Sequence, residues 1–254
     1  MWTQRAAEAG FALIGEPTPL PSTQGEVWSI TTAAGRAIVK RGSPAQTRRE
    51  REGLAAAAAV GSVPTVLAQL DDRTLLLSWH EGSPSSSPGT LQTAGAWLRA
   101  MHEAPYVDDD PLSVPDALAQ RVASWSARAV DPALVEAAIR LDAAAFEGLS
   151  RVRCHRDFTP RNWLWSERAL TVIDFGQARP DLALWDLVKL EAELFTEQPA
   201  LRAPFHAGYG GLTDPQTRQL RQLVRLHGLQ TATWGDEHGD PEFSALGRRI
   251  LRQV

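Results

Sequence analysis

Residues 155–162 of this chain read His-Arg-Asp-Phe-Thr-Pro-Arg-Asn, and residues 173–176, after a short apolar run, read Ile-Asp-Phe-Gly. As a pattern this is H-x-D-x-x-x-x-N followed closely by D-x-G. The two segments supply one carboxylate from Asp157, one carboxamide from Asn162 and a second carboxylate from Asp174. Transfer of a phosphoryl group with Mg²⁺ requires such groups around a single point. The stretch therefore predicts a phosphoryl-transfer site.

Each polar residue of this stretch has an expected role. Asp157 would accept or orient the proton of the attacking hydroxyl, as a carboxylate within hydrogen-bond reach can do. Asn162 and Asp174 are the expected Mg²⁺ ligands, because this ion prefers oxygen and completes its shell with water and phosphate. We interpret His155 as structural, since it can hydrogen-bond the loop backbone. A dyad with Cys154 is disfavoured because neighbours on a strand point to opposite faces.

Composition narrows the class of protein. The chain has 254 residues, 43% of them apolar, which suffices for a buried core in one domain of two lobes or in two small domains. A single cysteine excludes an intrachain disulfide and favours the cytoplasm. The sequence begins without the apolar segment of a signal peptide and contains no run of roughly 18 apolar residues. A net charge of −4 argues against nucleic acid as a partner, and we also expect no membrane partner.

The basic residues are 24 arginines and only two lysines, Lys40 and Lys189. A compact ammonium contacts phosphate oxygens in a way that a planar guanidinium does not, so each of the two lysines is a candidate for a functional role. Lys40 closes an Ala-Ile-Val-Lys run, which is typical of the kinase strand lysine that contacts the α- and β-phosphates. Lys189 lies in an apolar and acidic helical segment, and we interpret its presence there as chance.

An alternating, β-rich segment precedes Lys40. It predicts a hairpin of two antiparallel strands over residues 27–40, with the turn at residues 33–35. The small-residue turn before it, residues 20–25, contains Ser22 and Gly25. Two interpretations of this turn stay open: an ordinary hairpin turn, and a loop that covers bound phosphates.

A helix is predicted to follow over residues 44–59, with Ser43 as its N-cap and proline at its first position. On this helix, Glu50 and Glu52 are the candidates to pair with Lys40. Glu50 is preferred because an apolar residue four positions later shares its face. The alternative is that both glutamates belong to a solvated charge run.

Composition changes abruptly after two further predicted strands, residues 65–70 and 74–79. A Ser/Pro/Gly segment at residues 81–89 follows, and helical patterns dominate from there. We therefore predict a small β-rich lobe over residues 1–80 and a larger helical lobe over residues 81–254. A nucleotide is expected in the crevice between them, where Ser78 and His80 would lie near the adenine ring.

Three helices are predicted at the start of the second lobe, over residues 91–102, 115–130 and 132–146. Trp97 and Trp125 recur at helical spacing, and we interpret both as core. His102 is interpreted as a structural histidine that forms a hydrogen bond at a helix end.

These residues resemble a family, the aminoglycoside phosphotransferase and choline kinase-like branch of the protein kinase-like fold. The resemblance implies an α+β, two-lobed protein kinase-like fold, with ATP and Mg²⁺ as cofactors. It also implies an acidic residue in the helix after the metal motif, Asp186, which we interpret as structural support for the catalytic loop. The resemblance covers most of the chain, through Val39-Lys40, Glu50, residues 75–82, residues 98–102, His155 to Asn162, Asp174 to Gly176 and residues 184–187.

Protein kinases share these motifs, so the substrate class needs a separate argument. A protein kinase places a long activation segment after D-F-G, which forms the platform for a peptide. Here Gly176 is followed almost at once by a helix-like run over residues 182–195. Thr159 also stands where Ser/Thr protein kinases carry a lysine two residues after the base. Both features favour a small-molecule acceptor over a peptide.

The remaining segment, residues 191–254, is expected to be helical and to wall the acceptor pocket. Glu191, Glu193 and Glu197 add negative charge there, which would suit an aminoglycoside or another cationic acceptor. The alternative is that these three glutamates form an ordinary solvated face.

We therefore expect an ATP- and Mg²⁺-dependent phosphotransferase that acts on a hydroxyl of a small molecule, such as an aminoglycoside or another antibiotic. One alternative keeps the chemistry and changes the acceptor to a sugar, amino alcohol or choline-like metabolite. Another alternative is a catalytically silent nucleotide-binding protein. The catalytic candidate is Asp157, the metal ligands are Asn162 and Asp174, and the cofactor-binding candidates are Lys40, Glu50, Ser22, Gly25, Ser78 and His80.

Overall fold

The computed structural model of the chain describes residues 2–22, 25–138, 141–167 and 169–253. A five-stranded antiparallel sheet in the order β1-β2-β3-β5-β4 forms the N-terminal part. It is preceded by α1 (Trp2–Glu8), and α2 (Pro44–Ala57) lies between its third and fourth strands. The strands are β1 (Thr18–Leu20), β2 (Glu26–Thr32), β3 (Gly35–Arg41), β4 (Val66–Asp71) and β5 (Thr74–Ser78).

Strand alternation decides which way Lys40 faces. Val39 is fully buried in a small cluster with Ile30 and Leu76 on one face of the sheet. Successive side chains of a strand point to opposite faces, so Lys40 faces the other side, toward α2. The predicted hairpin is confirmed, since Val27 pairs with Lys40 in the register of β2 and β3.

The start of α2 is fixed by a capping box. The Ser43 hydroxyl accepts from the backbone N–H of Gln46, and the Gln46 side chain accepts from the backbone N–H of Ser43. Pro44 occupies the first turn, where a missing N–H costs nothing. These features confirm the predicted start of the helix and set the direction in which Glu50 points.

The C-terminal part is mainly helical. Two small sheets carry the predicted motif: β7 pairs with β10, and β6, β8 and β9 form a three-stranded sheet. Residues 155–162 therefore lie between β7 and β8, and residues 173–176 follow β9. The strands are β6 (Ser83–Pro84), β7 (Val152–Cys154), β8 (Trp163–Ser166), β9 (Ala169–Val172) and β10 (Arg179–Asp181). The helices are α3 (Pro88–Glu103), α4 (Val114–Arg128), α5 (Pro132–Ala138), α6 (Trp185–Lys189), α7 (Phe195–Glu197), α8 (Arg202–Tyr209), α9 (Asp214–His238) and α10 (Pro241–Gln253).

Glycines let the backbones of α3 and α8 approach closely. A Cβ on Gly208 would lie 1.9 Å from the carbonyl oxygen of Gln92, and one on Gly95 would lie 2.3 Å from that of Phe205. This crossing holds α3 in the core, where Trp97 is buried and stacks on Phe158 with ring centroids 5.6 Å apart. The core assignment of Trp97 is confirmed.

The predicted α+β, two-lobed protein kinase-like fold is confirmed, with an antiparallel sheet at the N-terminus and a large helical part after it. The predicted boundary between the two lobes, after residue 80, stays a prediction.

The helix predicted over residues 132–146 was too long. α5 ends at Ala138, residues 139–140 lie outside the described part, and Asp142 caps a separate 3₁₀ turn over Ala143–Phe146. Among the residues that the structure describes, no helix combines the length and the hydropathy that a bilayer span requires.

Candidate active site

A cavity of about 560 Å³ lies between β3 and α2 on one side and the catalytic loop, α6, α9 and α10 on the other. It brings together residues that are far apart in the sequence, including Lys40, Glu50, Asp157 and Asp174. The fold thus gathers the principal predicted site residues at one place.

Lys40 bridges the two parts of the molecule. Its Nζ lies 2.5 Å from Oε2 of Glu50 and 2.6 Å from Oδ1 of Asp174. Burial disfavours the ammonium, but the two carboxylates outweigh that effect and raise the pKa of Lys40 above its ordinary value. The expected contact with Glu50 is confirmed: Glu50 is 2% exposed, whereas Glu52 is exposed and lies near Arg51 instead.

Asp157 is surrounded by donors. Its Oδ1 accepts from Nζ of Lys189 at 2.5 Å, and Arg161 Nη2 lies within 2.9 Å of both carboxylate oxygens. Asn162 Nδ2 donates to Asp157 Oδ2 at 3.1 Å. Burial would raise the pKa of Asp157, but Lys189 and Arg161 overcome it and hold that pKa well below its usual range. Asp157 is therefore ionised at any pH at which the protein would work.

The two predicted metal ligands have different surroundings. Asn162 Nδ2 also donates to the backbone oxygen of Asp157 at 2.8 Å, so its amide oxygen is the atom that it would offer to a cation. Asp174 follows β9 with a left-handed backbone (φ 66°), and Gly176 comes two residues later. Burial opposes the charge of Asp174, but Lys40 outweighs it and lowers the pKa of this carboxyl. An amide oxygen and an ionised carboxylate are a donor set that fits Mg²⁺.

Asp186 holds the backbone of the catalytic loop. Its Oδ2 accepts from the backbone N–H of His155 at 2.8 Å, and its Oδ1 accepts from that of Arg156 at 2.5 Å. Arg156 has a left-handed backbone (φ 68°), which is unfavourable for a residue with a side chain and is held here by the bond to Asp186. The predicted supporting role of Asp186 is confirmed.

Two histidines complete this support. His102 lies 3.0 Å from Asp186 through Nε2 and 2.9 Å from the Tyr209 hydroxyl through Nδ1. His155 Nε2 donates to the backbone oxygen of Ile173 at 3.0 Å, so the catalytic loop is tied to the segment that carries Asp174. Both histidines are structural, as expected from the sequence.

The interpretation of Lys189 as chance was wrong. Its ammonium is the donor closest to Asp157, and the residue lines the cavity. The spacing could have shown this, because Asp186 and Lys189 stand three positions apart on α6 and share a face. α6 begins at Trp185 instead of Leu182, and a π-helical turn over Leu190–Leu194 follows Lys189 directly. Such turns often occur at functional sites.

Ser22 and Gly25 lie apart from this cluster. Ser22 is exposed, and Gly25 has a left-handed backbone (φ 84°) packed so closely that a Cβ would lie 2.3 Å from the carbonyl oxygen of Arg41. Gly25, Arg41 and Arg73 line a second cavity of about 390 Å³, which adjoins the larger one because Arg41 lines both. Whether this turn covers phosphates stays a prediction.

Ser78 and His80 are also outside the lining of the larger cavity within the described residues. The Ser78 hydroxyl accepts from the backbone N–H of Thr65 at 2.8 Å and lies 3.1 Å from Nε2 of His80. This arrangement fixes the end of β5. Contact of these two residues with an adenine ring stays a prediction.

The three acidic residues expected near the acceptor make other contacts. Glu191 is 2.7 Å from Arg202, and within the described part of the chain none of the three lines the cavity. Glu193 is 4.0 Å from His227, and Glu197 is 3.5 Å from Arg249. The structure thus does not support an acidic acceptor pocket built from them.

The opposite wall of the cavity comes from residues that the sequence did not predict to lie at the site. One face of α9, at spacing i, i+3, i+4 and i+7, presents His227, Gln230, Thr231 and Trp234. Trp125 is half-buried and also lines the cavity, so its assignment to the core was incomplete. We call these five residues, with Phe243 of α10, the α9 wall.

Comparison with known proteins places this geometry in a family. The model of a family described as the phosphotransferase enzyme family matches residues 17–241. No curated protein matches the chain.

Similar solved structures include the macrolide 2'-phosphotransferase MphH from Brachybacterium faecium, at 16% identity and a TM-score of 0.69, covering 98% of this chain and 96% of that chain. A gentamicin complex of APH(2")-IIa aligns at 17% identity and a TM-score of 0.70, covering 95% of this chain and 92% of that chain. An ethanolamine kinase from Plasmodium vivax aligns at 10% identity and a TM-score of 0.66, covering 94% of this chain and 81% of that chain. At these identities the likeness shows a common fold.

Proposed function

This chain belongs to the phosphotransferase enzyme family, and from that premise we propose that it transfers the γ-phosphoryl group of ATP, with Mg²⁺, to a hydroxyl of a small molecule. The observation that carries the proposal is the convergence of Lys40, Asp174 and Asp157 on one cavity. The proposal includes a nucleotide-binding lobe over residues 1–80, an acceptor-binding lobe over residues 81–254, and action in the cytoplasm.

The ionic contacts support a division of roles. Lys40 would contact phosphate oxygens, held in position by Glu50, in the way a strand lysine does in kinases. Asn162 and Asp174 would hold Mg²⁺, which when bound neutralises charge on the phosphates. Ser22, Gly25, Ser78 and His80 are proposed to complete the nucleotide site.

The surroundings of Asp157 indicate how it would act. A carboxylate with so low a pKa is a weak base, so it is suited to orient the acceptor hydroxyl and to take its proton late. Phosphoryl transfer through a loose transition state needs little early removal of that proton. Lys189 and Arg161 would then be placed to contact the transferred group.

Antibiotics and metabolites are both candidate acceptors. Structures of similar fold include a macrolide phosphotransferase, an aminoglycoside phosphotransferase and an ethanolamine kinase, so the fold accommodates each class. ADP release measured against panels of antibiotics, sugars and amino alcohols would separate these classes.

The test is substitution of Asp157. With an acceptor that the unsubstituted protein phosphorylates, we expect Asp157→Ala to reduce the rate of ADP release by about 10²–10⁴-fold, while ATP still binds. Asp109→Ala, which removes an exposed carboxylate outside the cavity, is the matched control and should leave the rate unchanged. Undiminished turnover by Asp157→Ala would show that its role is wrong. ATP binding without ADP release from any acceptor would favour the catalytically silent alternative.

A further inference from the structure

The charges around the cavity restrict the acceptor that it can bind. Among the residues that the structure describes, its lining contains five basic and four acidic side chains. Three of the acids already have cationic partners: Glu50 and Asp174 pair with Lys40, and Asp157 pairs with Lys189. A polycationic acceptor would therefore compete with ion pairs that are already formed.

The fourth acid, Asp240, is engaged at a helix start. Its Oδ1 accepts from the backbone N–H groups of Glu242 at 3.1 Å and Phe243 at 3.0 Å, which caps α10. A carboxylate at a helix N-terminus is stabilised there by the unpaired N–H groups. The helix start therefore already offsets part of the charge of Asp240, which weakens its attraction for an ammonium.

The α9 wall supplies a different kind of surface. Trp234 is 38% exposed and Phe243 is 47% exposed, with ring centroids 5.2 Å apart. Exposed aromatic rings that line a concave site usually mark a ligand surface. Gln230 and Thr231 add neutral polar groups beside them. The wall therefore suits a ligand that has an apolar or ring face and neutral hydrogen-bonding groups.

We propose that the acceptor is a hydroxylated compound with a broad apolar or ring face and no more than one positive charge, bound against the α9 wall. This inference rests on the proposed function for its catalytic context. The reacting hydroxyl points toward Asp157, while the apolar face packs on Trp234 and Phe243. Compounds with several ammonium groups are poor acceptors because the carboxylates of the lining are already engaged and the acid beside the wall, Glu193, lies against His227 at 4.0 Å. A buried cation without a free carboxylate partner is costly.

Calorimetry tests binding separately from turnover. The protein, with Mg²⁺ and a non-hydrolysable ATP analogue, is titrated with erythromycin, a flavonoid glycoside and a steroid glycoside, and with gentamicin as the polycationic probe. At least one amphipathic probe should bind saturably, at least about tenfold more tightly than gentamicin, with little change between low and high salt.

Variants of the wall locate the binding. Trp234→Ala and Phe243→Ala should each weaken the amphipathic probe about tenfold, and Trp234→Phe should recover most of the loss. Leu67→Ala is the matched control, because Leu67 is 39% exposed and lies on β4, outside the cavity lining; it should bind as the unsubstituted protein does. Thermal melting of each variant checks that it is folded.

Several results would overturn the proposal: tighter, salt-sensitive binding of gentamicin, no saturable binding by any of the three amphipathic probes, or unchanged affinity in both aromatic variants. Failure of the proposed function would look different. In that case the ATP analogue alone would not bind to the unsubstituted protein, while titration of the probes without nucleotide would still report on the α9 wall.

Discussion

The two sides of the cavity are built on different principles. The charged side, Lys40, Glu50, Asp157, Asp174 and Lys189, consists of groups that neutralise one another at 2.5–2.6 Å. The α9 wall is aromatic or neutral, and its rings are partly exposed. Fixed, paired charges suit a reaction that is the same for every acceptor, whereas an open aromatic surface suits recognition of one kind of acceptor. If this contrast is correct, substitutions on the charged side should lower turnover for all acceptors.

The largest effect is expected for Asp174→Ala. Loss of this carboxylate removes a proposed Mg²⁺ ligand and one of the two partners of Lys40, so turnover should fall on the order of a thousandfold. The rate of ADP release by this variant should rise much less than that of the unsubstituted protein as the Mg²⁺ concentration is increased. Asp72→Ala, at an exposed turn, is the control. An unchanged Mg²⁺ response in Asp174→Ala would contradict the metal role and the importance of the charged side.

Lys189→Met should have the next largest effect, about a hundredfold on turnover, because it removes the donor closest to Asp157. Lys189→Arg should restore only part of the activity, since a planar guanidinium does not reproduce a compact ammonium. ADP release with one acceptor is the measurement, and Arg252→Met, which removes an exposed cation of α10, is the control. Full activity of Lys189→Met would mean that this lysine only fills space beside Asp157.

Glu50→Gln should lower kcat/KM for ATP about tenfold, mainly through weaker nucleotide binding. The effect is smaller because Lys40 keeps Asp174 as a partner. Glu52→Gln is a close control: it makes the same change two residues away on α2, at an exposed position. Equal behaviour of the two variants would show that the ion pair with Glu50 does not position Lys40.

These contrasts also explain what the sequence could predict. Apart from Lys189, the charged side uses residue types fixed by chemistry at fixed spacing, so Lys40, Glu50, Asp157 and Asp174 could be predicted from motifs. The kinase-like fold followed from the same motifs together with the hairpin and helix signals before them. Local rules, such as the capping box at Ser43, also placed α2 correctly.

The α9 wall could not be predicted in this way. The four α9 residues that line it share a helix face, but which face meets the cavity depends on how α9 packs against the rest of the molecule. The same limit affected Glu191. It stands two residues after Lys189 in the sequence, but in the fold it contacts Arg202. Lys189 was missed for a different reason: its spacing from Asp186 contained the information, and the apolar context hid it.

The smallest effect is expected for Glu191→Gln, which asks whether this acid belongs with the acceptor or with the scaffold. Glu191 contacts Arg202 and His206, so its loss should cost about 1 kcal/mol of unfolding free energy and leave turnover unchanged. Thermal melting and ADP release measure the two outcomes. A raised KM for the acceptor without loss of stability would restore the acidic pocket that the sequence suggested.

The pH dependence of this variant gives a sharper test. Burial opposes the charge of Glu191, but His206 and Arg202 lower its pKa, so its stabilising contribution exists above its ordinary pKa of 4.5 and is lost as the pH falls through the lowered value. The Glu191 carboxylate raises the pKa of His206 above 6.5. The stabilisation that protonated His206 adds is therefore complete below pH 6.5 and is lost as the pH rises through the raised pKa. The difference in melting temperature between the protein and Glu191→Gln should therefore be largest near about pH 5.5 and smaller at about pH 8.5, where only the contact with Arg202 remains. A difference that does not vary with pH would show that His206 contributes nothing to the pair.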